Sequence, residues 1–171
     1  RVYLQDRSDF FIEEFQLADN VEILPFNRFK IPIGGRISYY LNELISLRGY
    51  FRYYYDDWGV TSYTGSLEIP VKISEKFTVY PMYRYYTQTA SDYFYAKETA
   101  LSTYKYYTSD YDLSAFNSNQ YGFGVTYKDI FTQSKVWKFG LKSISFRFNQ
   151  YERTTGLSAS IFELGAKFIM D

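Results

Sequence analysis

The chain has 171 residues, with 19 Lys+Arg against 19 Asp+Glu, no Cys, no His, 21 Tyr and 16 Phe. Lack of Cys excludes disulfides, thiolate nucleophiles and zinc–thiolate sites, and lack of His excludes a Ser-His-Asp triad, a Cys-His pair and every imidazole metal ligand. Neutral charge gives no sign of the basic surplus that marks nucleic-acid binding, and the length is that of one domain.

Aromatic content of 23% beside a mean hydropathy of -0.34 requires apolar and polar residues to be interleaved. A helical membrane span needs roughly 20 consecutive apolar residues, and the sequence has no such run. Arg1 opens without an initiating Met or an apolar targeting segment, so the chain is expected to be a mature or truncated product.

In chain order, a weak strand is expected near Phe10 to Leu17, followed by a connection over Ala18 to Phe26. From Lys30 to Leu41 the period is two: Ile31, Ile33, Gly35, Ile37, Tyr39 and Leu41 share one face, and Lys30, Pro32, Gly34, Arg36, Ser38 and Tyr40 the other. A turn at Asn42-Glu43 leads to Ile45, Leu47, Gly49, Phe51, Tyr53 and Tyr55, which alternate with Ser46, Arg48, Tyr50, Arg52, Tyr54 and Asp56. Every charge in these two strands lies on the second face, as expected of a surface between two solvents.

The alternation continues over Tyr63 to Ile73 and Phe77 to Gln88, separated by Ser74 to Lys76. After a long connection, Ser91 to Asp110, strands are expected at Tyr121 to Tyr127 and Phe162 to Phe168. Between these, Trp137, Phe139 and Leu141 change parity to Ile144, Phe146 and Phe148, which predicts a β-bulge near Lys142-Ser143. The total is about eight strands.

A soluble β-sandwich alternates in the same way. Strand length favours the other reading, because about 10 to 12 residues match a tilted membrane crossing and exceed the usual five or six. Tyrosines at strand ends (Tyr39-Tyr40, Tyr53 to Tyr55, Tyr63, Tyr83 to Tyr86, Tyr121) suit a membrane interface. The fold class expected is all-β: a transmembrane antiparallel up-and-down β-barrel. Asn42-Glu43, Ser74 to Lys76 and Lys128 to Lys135 are its periplasmic turns, and Ala18 to Phe26, Asp56 to Gly59 and Ser91 to Asp110 its outer loops. The closing segment Gly165 to Asp171 is similar to the final strand that barrel-insertion machinery reads, with Asp171 in place of the usual terminal Phe.

Three segments together carry a family resemblance: Arg52-Tyr-Tyr-Tyr-Asp-Asp-Trp-Gly-Val60, Tyr83-Arg-Tyr-Tyr-Thr-Gln-Thr-Ala-Ser-Asp-Tyr-Phe-Tyr95 and Ser109-Asp-Tyr-Asp-Leu-Ser114. Their order and wording resemble the bacterial outer-membrane proteins of the domain of unknown function 3570 family, over about Glu22 to Phe168. Members of that family are usually longer, with further N-terminal strands. The resemblance therefore implies a Gram-negative envelope location, and it makes residues 1–171 a single outer-membrane barrel domain or the C-terminal part of a longer barrel. It supplies no activity.

Candidate chemistry is sparse. Arg36, Arg48, Arg52, Asp56, Glu68, Lys72 and Arg84 share the non-lipid face, as an ion-selecting pore lining or as an internal ion-pair network that fills a narrow lumen. Asp56-Asp57-Trp58-Gly59 suggests a carboxylate pair or a Ca²⁺ site, but adjacent strand residues point apart. The expectation is a tight outer hairpin with Trp58 at the interface. Asp92, Asp110 and Asp112 lack a dense ligand loop. Gly122 and Gly124 have no following helix for a dinucleotide motif and are expected to relieve crowding on the lumen face. Tyr93, Phe94, Tyr95, Tyr104, Tyr106 and Tyr107 either contact a partner or fold over the barrel mouth as a cap.

The reading is a non-catalytic outer-membrane barrel that acts as a structural or binding component of an envelope assembly, or alternatively a small-solute or ion channel. It requires no cofactor and no metal. Outer-membrane lipid and other envelope proteins are its expected partners, and nucleic acid is not.

Overall fold

The computed structural model describes residues 21–129, 135–136 and 139–170. Nine strands form one sheet: β1 (Lys30–Tyr40), β2 (Ser46–Asp56), β3 (Thr61–Glu68), β4 (Val71–Lys72), β5 (Phe77–Gln88), β6 (Phe116–Lys128), β7 (Lys135–Val136), β8 (Phe139–Arg153) and β9 (Ser158–Met170). The long strands pair in the order β1-β2-β3-β5-β6-β8-β9, while β4 pairs with β5 and β7 with β8. Each long strand therefore lies beside its predecessor, as in an antiparallel meander. The only described helix is a single 3-10 turn, Tyr111–Leu113, opened by Asp110, whose carboxylate accepts from the Asp112 N–H.

The all-β antiparallel expectation holds, and the sheet is open among the described residues, so these strands do not by themselves close a barrel. β1 and β9 do not pair with each other, so each has one hydrogen-bonded neighbour. All eleven residues of β1 are exposed as a result. Seven strands are long, and the expected strand at Phe10 to Leu17 lies outside the described residues, as does Trp137.

The strand expected from Tyr63 to Ile73 is divided between β3 and β4. Pro70 has no N–H for a ladder, and only its carbonyl is used, by the Ser46 N–H at 3.1 Å. The expected bulge is present as a register shift between Leu141 and Ser143 against β9. It returns the apolar residues of β8 to one face.

The residues cluster into two units. Of the described residues, unit 1 comprises 21–33, 53–63 and 87–117, and unit 2 comprises 34–52, 64–86, 118–129, 135–136 and 139–170. Unit 1 contains the buried large apolar side chains of the described residues, Trp58, Val60 and Tyr107, together with Ala100. In unit 2 the buried side chains among the described residues are polar, Thr64, Thr78, Ser118, Asp129 and Asn149, apart from Pro70. Its large apolar residues lie outside instead, with Ile37 70%, Phe162 67% and Leu164 81% exposed. Phe123, Phe148 and Phe162 stand opposite one another on β6, β8 and β9, with ring centroids 6.1 and 5.0 Å apart.

The backbone explains two glycines on the opposite parity. A Cβ at Gly122 would overlap the Phe148 carbonyl oxygen and the Asn149 side chain, and one at Gly124 would meet Arg147 Cγ at 2.9 Å. Gly122→Ala should therefore cost about 1–3 kcal/mol, the usual range for overpacking. Gly65→Ala, with nothing within 4 Å of the added carbon, should stay within about 0.5 kcal/mol. Denaturant titration of the two variants side by side measures the difference.

Candidate functional site

The residues expected to form one charge network are divided between two clusters. In unit 1, Asp56 ends β2 with no exposed surface. Its Oδ1 accepts from the Trp58 and Val60 N–H groups, each at 3.0 Å. Its Oδ2 accepts from Arg28 Nε at 2.9 Å, Arg28 Nη2 at 2.5 Å and the Tyr54 hydroxyl at 2.7 Å. The carboxylate is thus saturated and has no lone pair left for a metal or for proton transfer. Asp57 does different work: its Oδ1 accepts from the Phe29 N–H at 2.9 Å. The two carboxylates do not cooperate, as their positions on a strand implied.

Gly59 completes the turn at φ +82, a conformation that favours glycine. Trp58 departs from expectation. It is 8% exposed, its indole N–H donates to the Asn27 carbonyl at 3.1 Å, and the Arg28 guanidinium lies 4.6 Å from its ring centre. Arg28 caps the ring and holds Asp56 at once, which draws Trp58 inward rather than to an interface.

In unit 2, Glu68 of β3 holds two arginines. Oε1 accepts from Arg48 Nη1 at 3.0 Å and Oε2 from Arg147 Nη1 at 2.9 Å. Arg147 belongs to β8, and β5 and β6 lie between β3 and β8 in the sheet order. The contact therefore reaches across the polar face rather than along it. The Arg147 guanidinium also lies 5.3 Å from the Tyr80 ring centre.

Both arginines remain partly in solvent, at 52% and 39%. Glu68→Ala should therefore cost about 1–2 kcal/mol, less than the loss of one partner from a fully buried pair. Chemical denaturation, with the Arg48→Ala and Glu68→Ala variants combined in a double-mutant cycle, measures the coupling.

The other expected members lie apart from these clusters. Arg36 rests 5.4 Å from the Tyr50 ring centre, Arg84 is exposed, and Arg52 is half-buried with its Nε lacking a hydrogen-bond partner. Two key arginines escaped the sequence reading. Arg147 was visible as the polar residue between Phe146 and Phe148, whereas Arg28 sits in a connection where no period marks it.

The long connection in unit 1 packs on itself. Tyr93 sits edge-on to both Trp58 (5.7 Å) and Tyr106 (5.6 Å), Tyr95 stacks on Tyr104 at 4.8 Å, and Phe94 meets Tyr111 at 5.5 Å. Tyr107 is 4% exposed and packs against Ala100. Its backbone exchanges hydrogen bonds with Ile23 at 2.8 and 3.1 Å. Of the six aromatics singled out here, Tyr104 is the exposed one.

The apolar face of unit 2 carries a groove of about 680 Å³ that the sequence did not signal. Gly35, Gly49 and Gly65 contribute no side chains there, and Ile37, Phe51 and Leu67 help to line it. No group of three or more potential metal ligands occurs among the described residues.

A family model described as "Protein of unknown function (DUF3570)" matches residues 1–162. The match begins earlier than the expected Glu22 and stops short of Phe168. No curated protein and no solved structure matches the chain.

Proposed function

The chain belongs to the DUF3570 family, and on that premise and its polarity we propose that it spans the bacterial outer membrane. In this reading it is part of a β-barrel wall and serves as a non-catalytic structural or binding component of an envelope assembly. The observation that carries this is the reversal of burial in unit 2, where Thr64, Thr78, Ser118 and Asn149 are sheltered while Phe51, Leu67 and Phe123, all on strands paired on both sides, are exposed. A one-sided sheet in water does the opposite. A bare apolar face is stable in hydrocarbon, and a sheltered polar face then turns to the lumen. Strands of 11 (β1, β2), 12 (β5) and 13 (β6, β9) residues are long enough to cross.

The Glu68 bridge between Arg48 and Arg147 favours a filled interior over an open pore, because paired charges occupy space that a channel would leave to water. The long connection can still present Tyr104 and its half-buried neighbours to another envelope protein. The test is refolding of the purified protein into phosphatidylcholine vesicles, followed by planar-bilayer recording. Heat-modifiable migration with no unitary conductance is expected. Failure to insert would overturn the membrane reading, and reproducible conductance steps would overturn the structural one in favour of a channel.

A further inference from the structure

A half-enclosed recess of about 140 Å³ in unit 2 shares Arg48 with the Glu68 bridge and is otherwise lined by residues given no role above. Three cations line it, Arg48 of β2, Lys72 of β4 and Lys128 at the end of β6, against one carboxylate, Glu43. The backbone holds them in place. Lys72 is paired with Thr78 across β4 and β5, and the Lys128 N–H donates to the Lys76 carbonyl at 2.8 Å.

Arg48 uses Nη1 on Glu68, and its guanidinium carries further N–H groups. Among the described residues, neither lysine side chain forms an ion pair. Thr78 and Tyr80 also line the recess. Cations converging on one recess repel one another, and an oxyanion relieves the repulsion while accepting charge-assisted hydrogen bonds from several of them. At roughly 30 Å³ per water, the space suits a phosphate-sized group with little water around it.

We propose that this recess binds a phosphate group, either free inorganic phosphate or the phosphate of a lipid headgroup. The inference does not depend on the membrane reading, because its first test uses detergent-purified protein. Inorganic phosphate is titrated in by calorimetry, with chloride at matched ionic strength as the reference. Saturable binding is expected. Replacing both lysines (Lys72→Gln with Lys128→Gln) should weaken it by about tenfold or more, the equivalent of about 1.4 kcal/mol, whereas Arg84→Gln, outside the recess, should leave it unchanged.

A second arm reconstitutes the protein in phosphatidylcholine vesicles with or without phosphatidylglycerol and measures the anionic lipid that co-purifies after extraction. Lysine-dependent retention of phosphatidylglycerol without binding of free phosphate identifies the headgroup as the source. Both lysines are exposed, and the single variants serve where the double variant does not fold. No binding in either arm, undiminished binding by the double variant, or an equal loss in Arg84→Gln overturns the proposal.

Discussion

Phe51→Arg is expected to lower the stability of the protein refolded in lipid vesicles by about 2–4 kcal/mol, the cost of an arginine near the bilayer midplane on a lipid-facing strand position. Phe51 is the central residue of β2 and is 55% exposed, so under the proposed membrane placement a side chain there would meet hydrocarbon. Ser66→Arg, on the half-buried polar parity of β3, should cost clearly less, because a lumen-facing charge keeps polar neighbours. Urea titration of both variants in phosphatidylcholine vesicles compares them. A larger loss from Ser66→Arg would invert the assignment of the two faces, and equal small losses would overturn the membrane placement.

Asp56→Ala is expected to be the most damaging change in unit 1. It removes the acceptor for two Arg28 nitrogens, the Tyr54 hydroxyl and two turn N–H groups. It also leaves a guanidinium that is 22% exposed without its carboxylate. Removal of one partner from a buried ion pair costs about 3–5 kcal/mol, and the partial exposure of Arg28 places this case near about 3 kcal/mol. Asp57→Ala, which loses a single hydrogen bond from Phe29, should cost about 1 kcal/mol. Limited proteolysis together with denaturant titration separates them: early cleavage within residues 21–29 and 57–60 is expected for Asp56→Ala. Equal behaviour of the two variants would mean that Asp56 does not organise this turn.

The strands β1, β2 and β5 were legible because a strand repeats every two residues, and apolar and charged residues alternate there without a break over eleven or twelve positions. The bulge in β8 was legible for the same reason, since Leu141 and Ile144 can share a face only if one residue is skipped. Pro70 was within reach of the same logic, because a residue without an N–H interrupts a ladder wherever it falls. The family resemblance was also legible, carried by the Asp-Asp-Trp-Gly and Arg-Tyr-Tyr-Thr-Gln signatures.

Contacts between distant segments followed a different rule. Alternation states which face a charge occupies but not which charge it meets. Glu68 and Arg147 are 79 residues apart and Arg28 and Asp56 are 28 apart, and their pairing depends on strand order and on the path of a connection. The inward turn of Trp58 is of this kind: tryptophan is at home at a wet interface or under a cation, and only the position of Arg28 selects between them. The phosphate-sized recess likewise needs β2, β4 and β6 brought together before three scattered cations face one space. Periodicity, composition and turn chemistry are local and were therefore written in the sequence. Charge pairing, ring packing and cavities are set by which strands become neighbours, and the tertiary structure alone decided them.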